Sequence, residues 1–395
     1  MRCLWITRQD PRPANSGELI YTLGLLKGLA KHPGIELTVL AHRGGKTTSD
    51  PISNITWELH GEIPKGRLRG MASLQPSDSY RLGNPAMRDQ LPRLYASGRW
   101  DWIIVDQAAC GWILTELPTA QHTRVAYLAH NHEASVRKQV AADHAGSLPM
   151  RLALKWDAWK YARLEHKLCA AADLITAITP RDQEAFESEF PGKTRLVLPP
   201  GYDGPMVSTP PRITADTPRK VVLAGAFEWL AKRRNLESFL ASADAPFRAT
   251  NIDFTVVGKA APAYFAALAA QFPWAEFHAN VPSIDPFLTG ARIGLIPEAL
   301  GGGFKLKALD YIFRGLPLAA LEPALSGLPL DPHCDVISAS SPAALAHEIA
   351  TRIDDLEFLN ASATRALEAC RDSFHWADRG MALGQALEQH PLSSS

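Results

Sequence analysis

The chain has 395 residues, with 41 lysines and arginines balanced by 41 aspartates and glutamates, so its formal net charge is zero. A general polyanion binder should be clearly basic, which excludes nucleic acid as an expected partner. Hydrophobic residues make up 46% and charged residues 21%, enough for buried cores in two domains and too apolar for wholesale disorder.

In chain order, a short apolar run over residues 3–7 predicts a first strand, followed by a Pro/Asn/Ser/Gly loop. Residues 18–31 then place Leu19, Leu23, Leu26 and Leu29 on one helical face. Residues 36–41, 102–105, 124–128, 174–178 and 195–198 read as further strands, and 150–172 and 181–190 as helices. From Tyr202 to Arg219 the sequence is rich in Pro and Thr without periodicity and reads as an interdomain linker. The alternation restarts with strands at 220–224, 254–257, 293–296 and 318–320 and helices at 235–243, 262–271 and 304–314. The end is helical before a polar tail. Two doubly wound α/β domains are expected: residues 1–203, residues 204–375, and then a terminal helix and tail over 376–395.

Five scattered cysteines without a C-x-x-C pair predict reduced thiols and a cytoplasmic protein. The opening MRCLWITRQDP is too short an apolar run for a signal peptide, and no window approaches 18 uninterrupted apolar residues.

Chemistry concentrates in PEALGGGFKLKALDYIFRGLP, residues 297–317. Gly301, Gly302 and Gly303 follow a strand and precede a helix, where a bare backbone and free amides favour an anion. Lys305 and Lys307 sit in the first turn, where a cation opposes the helix dipole. Asp310 lies one turn beyond Lys307 on the same face. This spacing fits a nucleoside diphosphate, with lysine on phosphate and carboxylate on ribose. It also fits a plain glycine turn before a solvated helix. His130 and His132 beside Glu133 raise a metal site, but no third ligand has convincing spacing, and no metal is expected. RGGKTT at residues 43–48 lacks the first glycine of a P-loop. The aromatic and basic residues 156–163 fit an ordinary amphipathic helix.

The run G-G-G-F-K-L-K-A-L-D-Y-I-F-R-G-L-P resembles the donor-binding signature of GT-B glycosyltransferases of the family 4 type, also called glycosyl transferases group 1. Gly301, Gly303, Lys307, Gly315 and Pro317 fall in register, and Asp310 takes the acidic position. Asp310 is one methylene shorter than the usual glutamate, and Gly302 stands where the E-x7-E form has its first glutamate. Other segments are similar in order: Asn15-Ser16-Gly17-Glu18 to the first Gly-rich loop, and His130-Asn131-His132-Glu133 to the H-N-x-E segment. Residues 170–186, LPPGYD at 198–203 and Phe374-His375-Trp376 also agree, as does the opening of the second domain at Gly225.

The resemblance implies two Rossmann-like domains facing across a cleft, the first for the acceptor and the second for the nucleotide sugar. It implies a retaining, metal-independent hexosyl transfer from a nucleoside-diphosphate sugar, UDP being the commonest, to a hydroxyl of a glycan, lipid-linked or small-molecule acceptor. No cofactor is implied. His130, Lys307 and Arg234 are the expected catalytic residues, with His130 near the transferred sugar and the two cations on the diphosphate. Ser16, Gly17, Gly225, Lys232, Gly301, Gly302, Gly303, Phe304, Lys307 and Asp310 are the expected donor contacts. Basic residues from Lys65 to Arg99, interleaved with Leu68, Met71, Leu74 and Tyr80, suit peripheral contact with an anionic membrane on its cytoplasmic face, or a solvated loop. A sugar-nucleotide 2-epimerase of the same fold, and a non-catalytic nucleotide-binding partner subunit, are the competing readings.

Overall fold

The computed structural model describes residues 1–44, 52–66, 68–117, 123–143, 146–299 and 302–389. The described residues form two compact units, one of residues 1–201 with 375–395 and the other of residues 202–374.

In the first unit, β1 (Arg2–Gln9) carries five consecutive buried residues, as a central parallel strand covered on both faces must. It leads through Ser16 into α1 (Gly17–Leu29). Next come β2 (Glu36–His42), β3 (Ile55–Leu59), and three short helices, α2 (Leu68–Ala72), α3 (Ser77–Leu82) and α4 (Pro85–Ala96). β4 (Trp102–Asp106), β5 (Arg124–Leu128), α5 (Glu133–Ala142), α6 (Leu148–Ala171), β6 (Leu174–Ala177), α7 (Pro180–Glu189) and β7 (Thr194–Val197) complete the alternation. Among the described residues the strands form one parallel sheet in the order β3-β2-β1-β4-β5-β6-β7. The order reverses between β1 and β4, so a ligand crevice is expected at the carboxyl ends of those two strands.

The second unit repeats the plan. It comprises β8 (Lys220–Ala226), α8 (Leu230–Ala249), β9 (Asp253–Lys259), α9 (Pro262–Gln271), β10 (Ala275–Ala279), α10 (Asp285–Leu288) and β11 (Ile293–Ile296). α11 (Leu306–Phe313), β12 (Leu318–Leu321), β13 (Ile337–Ala339), α12 (Pro342–Arg352) and α13 (Leu356–Cys370) follow. Its described strands run β10-β9-β8-β11-β12-β13, all parallel, with the reversal between β8 and β11. Two apolar layers cover the sheet. One centres on Phe239, Phe247 and Phe254, the other on Tyr311, Phe313 and Leu318.

Three differences from the sequence reading have physical causes. The stretch read as a linker, 202–219, belongs to the second unit: Ile213 is buried, and its amide and carbonyl both bond the Asn360 side chain at 2.9 and 3.0 Å. The buried Arg292 guanidinium also donates to Thr217 O at 2.8 Å and Ala215 O at 3.2 Å, so irregular backbone is satisfied by side chains rather than by solvent. The stretch between Lys65 and Arg99, for which a solvated loop is the alternative reading, is largely helical among the described residues. The edge strands β3, β10 and β13 escaped notice because each is short and interrupted by polar residues, leaving no continuous apolar run.

The last helix, α14 (Trp376–Glu388), packs on α1 of the first unit. The crossing has no room for side chains: a Cβ on Gly380 would lie 2.0 Å from Gly28 C, and one on Gly24 would lie 2.3 Å from the Trp376 ring.

Candidate functional site

In the first unit, the ends of β4 and β5 bring side chains together beside the β1–β4 reversal. Asp106 is the last residue of β4 and is fully buried. Its Oδ2 accepts Thr22 Oγ1 at 2.7 Å and Trp5 Nε1 at 3.1 Å, while Oδ1 lies 2.7 Å from His130 Nε2. His130 follows β5, with its side chain 11% exposed, and Tyr21 meets the imidazole edge-on at 4.9 Å. Burial disfavours the imidazolium, but the Asp106 charge and hydrogen bond, with help from Glu18 and Glu133, outweigh it and raise the His130 pKa.

Ser16 and Gly17, at the start of α1, are exposed, and the Ser16 hydroxyl makes no capping bond to the helix. Beside them Glu18 faces Arg8 at 3.6 Å and has one buried oxygen, Oε1, without a partner. His132, in contrast, is buried, with Nδ1 2.7 Å from Ser135 Oγ and its ring against Phe186 at 4.8 Å. Of the two histidines, the structure packs one away and leaves the other at the strand ends. Among the described residues no group of three His, Cys, Asp or Glu side chains gathers as metal ligands.

In the second unit, the β8–β11 reversal collects charge. Glu298 stands two residues beyond β11, is 6% exposed, and holds Lys307 Nζ at 2.5 Å through Oε1; its buried Oε2 has no partner. The Lys307 ammonium also lies over Gly225, 3.6 Å from where a Cβ would stand. Lys232, in the first turn of α8, is so desolvated and so near Lys307 that its pKa falls, with Glu298 only partly compensating. A glycine is required next door: Gly258 has φ 141°, and a Cβ there would strike Gly225 O at 1.8 Å.

The glycine segment differs from the sequence reading. The helix begins at Leu306, not at residue 304, so Lys305 is its N-cap rather than a first-turn residue. Its ammonium folds back onto Gly302 O at 2.6 Å and Gly303 O at 3.2 Å. Gly303 turns with φ 70°. Phe304 packs against Phe374 with ring centroids 5.6 Å apart. Gly301 lies outside the described residues. Asp310 accepts the Tyr202 hydroxyl at 2.9 Å, and Tyr202 stacks on Phe313 at 4.7 Å. Burial raises the Asp310 pKa, against Tyr202 and Arg314, which lower it. Arg234 sits about 200° round α8 from Lys232, so those two cations do not share a face.

The structure therefore groups Lys307, Lys232, Gly225 and Glu298 in one place, and His130 with Asp106 in another. Asp106 and Glu298 were not singled out from sequence. Each is a carboxylate at the carboxyl end of a buried parallel strand, in WIIVD and IGLIPE, and that placement is the available signal. A cavity of about 1040 Å³, lined by Arg2, Lys27, Lys31, Glu36 and Asn54 among others, opens at the opposite, amino ends of β1–β3, away from these groups.

The chain has the GT-B fold. It superposes on a sucrose-phosphate synthase from Thermosynechococcus elongatus with a TM-score of 0.73 at 17% identity, over 98% of each chain. Anabaena HepE in complex with UDP and glucose gives 0.64 at 11% identity, over 99% of this chain and 100% of that one. An Escherichia coli structure described as trehalose-6-phosphate bound with UDP-2-fluoro glucose gives 0.65 at 14% identity, over 99% of each. No family model matches the chain, and no curated protein matches it in sequence. No helix among the described residues is long and apolar enough to cross a membrane.

Proposed function

We propose that this protein is a glycosyltransferase that moves a hexosyl group from a nucleoside-diphosphate sugar, UDP-linked by preference, to an acceptor hydroxyl. The observation that carries this reading is the lysine pair of the second unit. Lys307 and Lys232 are brought together at the β8–β11 reversal, over the bare backbone of Gly225, with Glu298 as the carboxylate between them. Two partly buried cations, placed so that Lys307 helps to lower the Lys232 pKa, form a receptor for a multivalent anion, and a diphosphate supplies that charge. That the solved relatives in fold include complexes with UDP and UDP-2-fluoro glucose agrees with this reading.

As the glycosidic bond breaks, negative charge collects on the departing diphosphate. Lys307 moves from Glu298 to phosphate oxygens, and Lys232 and the Gly302–Gly303 backbone complete the preorganised field, with Arg234 as a further cation on α8. Asp310 orients the ribose through the oxygen not held by Tyr202. His130, whose charged form Asp106 favours, donates a hydrogen bond to the transferred sugar. Ser16 and Gly17 present unblocked backbone at the start of α1. Charge compensation comes from side chains, so transfer is metal-independent, and we propose retention at the anomeric carbon. The acceptor is a glycan, lipid-linked or small-molecule hydroxyl, the lipid-linked case being met at an anionic membrane surface on the side of residues 65–99.

Incubation with UDP-, GDP- and dTDP-sugars, followed by measurement of free nucleotide, tests the reading. Slow nucleotide release is the expected result. Inversion at C2 of the sugar would mean an epimerase, and binding without turnover a non-catalytic subunit.

A further inference from the structure

The amino-terminal half of α6 exposes an apolar stripe. Leu148, Leu152, Trp156 and Trp159 are spaced by four, four and three residues, and so share one helical face. Leu148 is 66% exposed, Leu152 58% and Trp159 48%, in a helix whose other side is buried through Lys160, Tyr161 and Leu164. The two indoles stack on each other at 4.9 Å with planes 12° apart. The Trp156 indole donates to Met71 O at 3.1 Å, and Lys160 Nζ donates to Gly70 O at 2.9 Å, fastening α2 beside the stripe. Met71 and Leu74 extend the apolar surface, the latter 64% exposed.

Charge marks out the same surface. Arg151, Lys155 and Arg163 are exposed along or beside the stripe, with Arg163 over the Trp159 ring at 5.7 Å, and Lys65 and Arg69 are exposed just before and on α2. The acidic residue of this half-helix, Asp157, points the other way and accepts the Ser77 amide at 3.1 Å. By contrast, Arg81 and Arg88, which contributed to the sequence expectation for residues 65–99, are occupied within the unit. Arg81 pairs with Asp78 and Pro64 O, and Arg88 with Glu116 and Gly83 O. Arg67 lies outside the described residues.

We propose that the exposed face of α6, with Met71 and Leu74 of the α2 segment, docks on the anionic phospholipid headgroups of a bilayer. Exposed leucines and stacked tryptophans flanked by lysine and arginine, with no carboxylate on the stripe, match an interface that is apolar below and negative above. The inference deepens the proposed function by stating where a lipid-linked acceptor is met. It narrows that meeting place from residues 65–99 to the α2 segment and adds α6.

The test is co-sedimentation of the full chain with vesicles of phosphatidylglycerol and phosphatidylcholine in equal parts, beside vesicles of phosphatidylcholine alone. Binding to the anionic vesicles that weakens as salt rises is expected. Lys155→Ala should lower the partition coefficient about fivefold. Leu152→Glu with Trp159→Glu should abolish binding, while UDP affinity, measured in parallel, stays at the wild-type value and reports an intact fold. Arg81→Ala should leave vesicle binding unchanged. Wild-type vesicle binding by the α6 double variant overturns the proposal. So does absence of binding at low salt, or a self-associated chain that the double variant disperses. Loss of UDP binding by the wild-type chain would defeat the donor reading instead and leave the vesicle result standing on its own.

Discussion

His130 Nε2 and Asp106 Oδ1 lie 2.7 Å apart, and the same carboxylate is pinned on its other oxygen by Thr22 and Trp5. A buried carboxylate with three donors has no freedom to turn, so it fixes the imidazole in one orientation and favours its charged form.

That relationship sets a pH dependence. The folded-state pKa of His130 is raised above the ordinary 6.5, so its contribution to stability is complete below the unfolded value and is lost as pH rises through the folded one. If protonated His130 donates to the sugar, kcat should decline over the same alkaline limb. Asp106→Asn should move that limb to lower pH, and His130→Ala should lower kcat by roughly a hundredfold while flattening it. A profile of kcat against pH for the three proteins decides; an unmoved limb in Asp106→Asn removes His130 from the role.

The lysine pair makes a prediction about affinity. Lys307→Ala removes a charge-assisted contact of about 1.5–3 kcal/mol, so UDP binding by calorimetry should weaken by roughly tenfold to a hundredfold. Glu298→Gln should have the opposite sign, tightening UDP, because the carboxylate competes with phosphate for Lys307. Weaker UDP binding in Glu298→Gln would show that the glutamate itself serves the nucleotide.

On α8, Lys232→Ala should weaken UDP more than Arg234→Ala does, since Lys232 lies beside Lys307 and Arg234 is on another face of the helix. Equal losses from both would place Arg234 on the diphosphate as well.

Asp310→Ala should raise the KM for the donor more than it lowers kcat, because the ribose keeps its charge throughout the reaction. Tyr202→Phe, which frees the Asp310 oxygen from its hydroxyl donor, should change donor KM by less than Asp310→Ala. Separately, EDTA should leave turnover unchanged; full loss restored by Mn²⁺ would overturn the lysine-based account of charge compensation.

Much of this architecture was legible in the sequence. Buried parallel strands such as CLWIT and IGLI announce themselves as continuous apolar runs, and the spacing of Gly303, Lys307 and Asp310 pointed to the segment that supplies Lys307. Asp106 and Glu298 were not found, because a single acidic residue after a strand has no periodicity to betray it. Their importance arises from strand order, which places β4 beside β1 and β11 beside β8. Lys305 was read as a ligand-facing cation, but its ammonium satisfies the carbonyls of the glycine turn, a local bond that spacing cannot distinguish from a distant one. Of the stripe on α6, the sequence reading took in only Trp156 and Trp159, within residues 156–163 read as an ordinary amphipathic helix. Which side of the helix faced outward was not visible.

The packing of α14 on α1 also bears on the order in which the molecule is made. The first unit is discontinuous in sequence, whereas the second is one uninterrupted segment, residues 202–374. During synthesis from the amino end, the second unit can close as soon as its last strand and helices emerge. In the first, the groove over Gly24 and Gly28 stays uncovered until residues 376–388 arrive to fill it.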